Sequence, residues 1–149
     1  MPDQLSESRR WVIEAWRRAQ TEADYAAPWC KAVRGLTPAQ AMQAPAPGRH
    51  SIAQIVAHVC FWRAYFVDRA RGGERLDRAE IDRQSWPDPG EDEWAGLIER
   101  FGETHALVLA ALEDPELDTS ALQELLMHDC YHVGQVMYVR ALLGLKAIG

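Results

Sequence analysis

The sequence predicts an all-α fold, a four-helix bundle, from three observations. Apolar residues recur at helical spacing over long stretches. Capping and stop residues bracket those stretches at ordinary helix lengths. No alternating Val/Ile/Thr run and no Asn-Gly hairpin signal is present, so strands are not expected. Four long helices with short or medium connections make the bundle the economical arrangement.

Taken in order, the first helix is expected from about Leu5, carrying Leu5, Val12, Ala15, Trp16 and Ala19 on one face. It must end before Pro28, because the residue ahead of a proline is pushed out of the helical region. Thr37-Pro38 reads as a cap followed by proline at the first helical position, opening a short helix that stops before Pro45 and Pro47. Ser51 to Ala70 is the clearest element: Ser51 and Gln54 make a capping-box pattern, and Gly72-Gly73 supply the stop. Glu74 to Pro89 is polar and charged, and Trp86-Pro87-Asp88-Pro89-Gly90 reads as loop. A third long helix is expected from about Glu91 to Leu112, its acidic start complementing the helix dipole. Asp118 or Thr119 caps the fourth, which runs to Leu143 and stops at Gly144.

At 149 residues the chain suits a single domain, residues 1–149, with enough core to fold without disulfides or a structural metal. Hydrophobic residues at 48% and charged residues at 26% exclude wholesale disorder. The longest apolar run, Ile55 to Trp62, is interrupted by His58 and is far too short for a membrane span. Met1-Pro2-Asp3-Gln4 leads straight into polar residues, so no signal peptide is expected. Three cysteines without a Cys-x-x-Cys pair suit free thiols in a reducing compartment, and a cytoplasmic location is expected. A net charge of −6 argues against a nucleic-acid partner.

Of the five histidines, three stand in a suggestive relation. His128 and His132 are four apart on the last helix, so their rings leave one face a turn apart, the spacing two imidazoles need to reach one metal ion. On a helical wheel His58 lies roughly 95° from the centre of its core stripe, and His132 and His128 lie about 75° and 115° to the same side of theirs. All three edge the core. Spacing alone leaves two readings: a metal triad, or packing residues with polar tips.

Other features weigh less. Cys130 beside His132 suggests a nucleophile–base pair, but it falls roughly 160° around the helix, so the dyad is rejected; Cys60 likewise lies away from His58. Arg9-Arg10 and Arg17-Arg18 with Trp11 and Trp16 read as the solvated face of an amphipathic helix rather than a nucleic-acid patch. The acidic stretch from Asp82 to Glu93 lacks calcium-loop spacing.

The segment Pro47-Gly48-Arg49-His50-Ser51-Ile52-Ala53-Gln54-Ile55-Val56-Ala57-His58, followed by His128-Asp129-Cys130-Tyr131-His132-Val133-Gly134-Gln135, resembles the DinB-like superfamily. That group includes the YfiT-type metal-dependent hydrolases and the bacillithiol and mycothiol transferases. The resemblance covers the chain from the first helix to Leu145. It implies a four-helix bundle with a metal-bearing cleft, commonly a homodimer, in which His58, His128 and His132 match the metal triad. Gly134 matches a small residue, read as permitting close helix approach, and Gln135 matches a position for which the sequence gives no role.

Three neutral imidazoles leave a divalent ion its full charge and open positions, the catalytic rather than the structural pattern. Such an ion can lower the pKa of bound water to about 7 or hold a thiol as thiolate. Imidazole suits Zn, Ni or Fe alike, so one divalent ion per chain is expected without a choice among them. A base would come from elsewhere; Asp129 and Glu124 lie on the right helix. The resemblance favours a metal-dependent transferase joining a low-molecular-weight thiol to an electrophile, with a hydrolase or a non-catalytic metal- or ligand-binding bundle as alternatives. The expected partners are a small-molecule thiol and an electrophile, with neither nucleic acid nor membrane.

Overall fold

A computed structural model describes residues 5–22 and 27–146. All regular secondary structure among them is helical: α1 (Glu7–Thr21), α2 (Trp29–Ala32), α3 (Pro38–Met42), α4 (Ile52–Ala70), α5 (Arg78–Gln84), α6 (Trp94–Glu113) and α7 (Ser120–Leu142), with a 3₁₀ turn over Glu91–Glu93 leading into α6. No helix among the described residues is long and apolar enough to cross a membrane.

Local chemistry accounts for the helix ends. Ser51 Oγ accepts from the Gln54 N–H while Gln54 Oε1 accepts from the Ser51 N–H, so the expected capping box opens α4. Thr37 and Gln40 open α3 in the same way. α4 and α7 end in matching Schellman motifs. In α4 the Gly72 N–H donates to Arg69 and the Gly73 N–H to Asp68; in α7 the Gly144 N–H donates to Ala141 and the Leu145 N–H to Arg140. These turns need a left-handed residue, which Gly72 (φ 89°) and Gly144 (φ 67°) provide.

Several expectations are corrected. α1 starts two residues after Leu5, at Glu7, with Ser6 as its cap, and stops at Thr21. α2 was not anticipated; its carbonyl end is tied down by Arg140 of α7, which donates to the carbonyls of Ala32 and Arg34. The stretch read as polar connection contains α5, capped by Asp77, whose carboxylate accepts from the Glu80 N–H. Ion pairs Arg78–Asp82 and Arg83–Glu80 line this helix, and it buries no residue, so it carries no apolar period to detect. Arg9 is not simply solvated: its guanidinium donates to the carbonyls of Leu112 and Leu117, closing the end of α6. Trp16 of α1 is fully buried.

The four long helices pack as a ring, α1 and α4 each lying against both α6 and α7. Their apolar faces form two clusters. One gathers Trp29, Ile52, Val56, Phe101 and Val136; the other gathers Val12, Trp16, Val67, Leu112 and Leu125. Between them Arg63 of α4 is only 1% exposed. Its guanidinium lies 4.3 Å from the Phe101 ring centre and 5.2 Å from that of Trp16. It donates from Nε (2.8 Å) and Nη2 (2.6 Å) to Asp129 Oδ2 of α7, and from Nη1 to the Phe101 carbonyl. This buried ion pair joins the two helices that carry the three histidines.

Candidate metal centre

His58 projects from the middle of α4, and His128 and His132 from the middle of α7, which packs against it. The structure brings the three rings together: their ligand nitrogens all lie within 4.8 Å of one another. His128 Nε2 is 3.4 Å from His58 Nε2 and 3.1 Å from His132 Nε2. An ion bonded to two nitrogens at about 2.0–2.1 Å holds them about 3.0 Å apart at a right angle and about 3.4 Å apart at a tetrahedral one. These two separations, from His128 to each of the others, fall in that range.

The far side of each ring has a partner that orients it. His58 Nδ1 lies 2.5 Å from the Ser85 carbonyl oxygen, at the end of α5. A carbonyl only accepts, so that nitrogen carries the proton and Nε2 presents its lone pair. His132 Nδ1 donates to Gln135 Oε1 at 2.7 Å, and Gln135 Nε2 in turn donates to the Tyr131 hydroxyl at 3.0 Å. His128 Nδ1 faces Asp129 Oδ1 at the longer distance of 3.4 Å. Outer partners of this kind set the tautomer of metal-binding imidazoles.

Burial reinforces that state. His58 is 7% exposed and His132 4%. Desolvation lowers the His58 pKa to about 4 against the opposing pull of the Ser85 carbonyl, with the neighbouring imidazoles lowering it further. Desolvation followed by the proximity of His128 lowers His132 to about 4. At neutral pH both rings are uncharged, the form that ligates metal. The His128 side chain, 26% exposed, leaves the cluster open on one side.

Aromatic rings wall the cluster. Trp86 stacks on His58 with ring centres 3.7 Å apart, and on His50 with centres 3.8 Å apart. Two rings this close to one indole must take its opposite faces, so Trp86 is sandwiched between them. Trp62 meets His58 and His128 edge-on. His105 stands elsewhere, stacked on Trp16.

The other candidates resolve differently. Asp129 is held by Arg63, and Glu124 is exposed and outside the cluster of ligand atoms. Gly134 is exposed, and a Cβ built on it meets nothing within 4 Å, so the expectation that it permits a close helix approach is wrong. Burial raises the Cys60 thiol pKa, and desolvation with the Asp129 charge raises that of Cys130, so neither is poised as a thiolate.

Sequence reasoning missed Ser85, Trp86 and the role of Gln135. Ser85 acts through a backbone carbonyl, which leaves no residue signature. Gln135 was accessible, since three residues past His132 is one helical turn. Arg63 was also visible as a charge within the most apolar helix stretch.

No curated protein and no solved structure matches the chain. The family model of the DinB superfamily matches residues 29–143, a span that contains all three clustered histidines and the residues that orient them. The chain belongs to the DinB superfamily.

Proposed function

We propose that the chain is a metal-dependent transferase that joins a low-molecular-weight thiol to an electrophile, with His58, His128 and His132 holding one divalent ion, Zn, Ni or Fe. The observation that carries this reading is the convergence of three Nε2 atoms whose rings are oriented from behind by Ser85, Gln135 and Asp129. The four-helix bundle of the DinB type goes with it, supported by the ring of α1, α6, α4 and α7.

A divalent ion held by neutral imidazoles supplies Lewis acidity that favours the thiolate of an arriving thiol near neutral pH. The chain's own residues present the donors, keep them uncharged, and wall the cluster with Trp62 and Trp86. Asp129, the carboxylate nearest in sequence to the triad, is bound to Arg63, so it does not stand free to deprotonate water. A thiol, with an ordinary pKa of about 8.5, needs no such base once bound to the ion, and the same ion would bring bound water to about 7. A metal-dependent hydrolase remains the second reading, because the same donors would serve it.

The test uses a variant with Cys30, Cys60 and Cys130 all replaced by alanine, so that any nucleophilic sulfur comes from the substrate. Loaded with metal, it should conjugate a small thiol such as cysteine to monobromobimane faster than the same concentration of free metal. His128→Ala in that background should not. No rate above free metal in the wild-type protein with any physiological thiol tried would remove the transferase reading.

A further inference from the structure

Beside the histidine cluster lies a second cavity, of about 550 Å³, between the segment ahead of α4 and the outer face of α7. It is distinct from the triad but shares two of its supports. Gln135, which orients His132, forms part of one wall; His50, which stacks on the far face of Trp86 from His58, forms part of another. A molecule in this cavity therefore sits next to the second layer of the metal centre.

The lining is two-sided in character. Along α7 the wall is Tyr138, Val139 and Leu142, of which Tyr138 is 67% and Leu142 55% exposed. Large side chains left this open offer apolar surface to an occupant. Opposite them stand Arg49 and His50, both exposed, immediately ahead of Ser51 at the start of the 19-residue α4. No described carboxylate pairs with Arg49, although the chain carries 22 acidic residues. The volume lies within the range of small-ligand sites.

We propose that this cavity binds a small amphipathic anion, its carboxylate or phosphate at Arg49 and His50 and its apolar body against Tyr138 and Leu142. We take it to be the non-reacting part of the substrate that reaches the triad; that identification rests on the metalloenzyme reading, whereas the anion site itself does not. Arg49 suits either headgroup, since its planar fork takes two oxygens at once.

The test is binding of three probes to metal-free protein, followed by isothermal titration calorimetry: 3-phenylpropionate, its uncharged amide, and phenyl phosphate. For fragments of this size a Kd of about 1 mM is expected for an anion. The amide should bind at least about tenfold more weakly, and Arg49→Gln should bring the anion to the level of the amide, without change in melting temperature. The tighter of the two anions assigns the headgroup as carboxylate or phosphate. Because the titrations use metal-free protein, failure of the metal reading leaves this result standing. Equal affinity for acid and amide, or an Arg49→Gln variant that keeps the anion, overturns the proposal. So does saturation by none of the probes.

Discussion

Breaking the Arg63–Asp129 pair should be among the most damaging single changes available in this protein, whereas replacing both partners should be tolerated. Arg63 is 1% and the Asp129 side chain 3% exposed, with two N–H donors on one carboxylate oxygen. Removing one member of such a pair strands a charge in a low-dielectric site and costs about 3–5 kcal/mol. Arg63→Met forfeits in addition the contacts with the faces of Phe101 and Trp16. Against a total stability of about 5–15 kcal/mol, either single variant is left marginal. At about 2–4 °C per kcal/mol for a chain of this size, the melting temperature should fall by roughly 6–20 °C. The double variant Arg63→Met/Asp129→Leu puts apolar groups between two clusters that are already apolar, and should be more stable than either single. Urea unfolding of metal-free protein gives all four corners of the cycle without a contribution from bound ion. Single variants that each cost less than about 1 kcal/mol, or additive effects, would refute the reasoning.

Two further outcomes are expected. Gln135→Ala removes the acceptor on His132 Nδ1 and should weaken Zn²⁺ affinity by about 10–100-fold in competition with a chelator, while leaving the metal-free melting temperature nearly unchanged; unchanged affinity would show that the bond does not orient the ring. Metal-free protein should lose stability as pH falls from about 6.5 to about 4, because His58, His105 and His132 are held near 4 when folded but titrate near 6.5 when unfolded, so the unfolded chain takes up protons that the native state refuses. Each group contributes a slope of up to about 1.4 kcal/mol per pH unit in that window, and His105→Phe should flatten the urea midpoint against pH relative to wild type; equal slopes would contradict the assignment.

The long helices were legible because their ends are written in local chemistry. Ser51 with Gln54 opens α4 and the glycines at 72 and 144 close α4 and α7, all through bonds spanning a few residues. α5 was not legible, since it is held by surface ion pairs and buries nothing. For the triad, the wheel placed all three histidines at core edges, but angles on separate helices do not say which faces meet. The packing of α4 on α7, clamped by Arg63 and Asp129, is what joins them. The layer behind the histidines was the least visible, because a carbonyl at Ser85 is 27 residues from the ring it orients. Gly134 shows the opposite error: a small residue at a matched position invited a packing role, and it lies on the open face of α7.

The most direct test of the central claim is elemental analysis after metal-free protein is incubated in turn with Zn²⁺, Ni²⁺ and Fe²⁺ and desalted. Wild-type protein should retain one ion per chain of at least one of these metals. His58→Ala and His132→Ala should lose most of it, while His105→Ala, whose ring lies apart from the cluster, should keep it. A full equivalent retained by His58→Ala would contradict the triad.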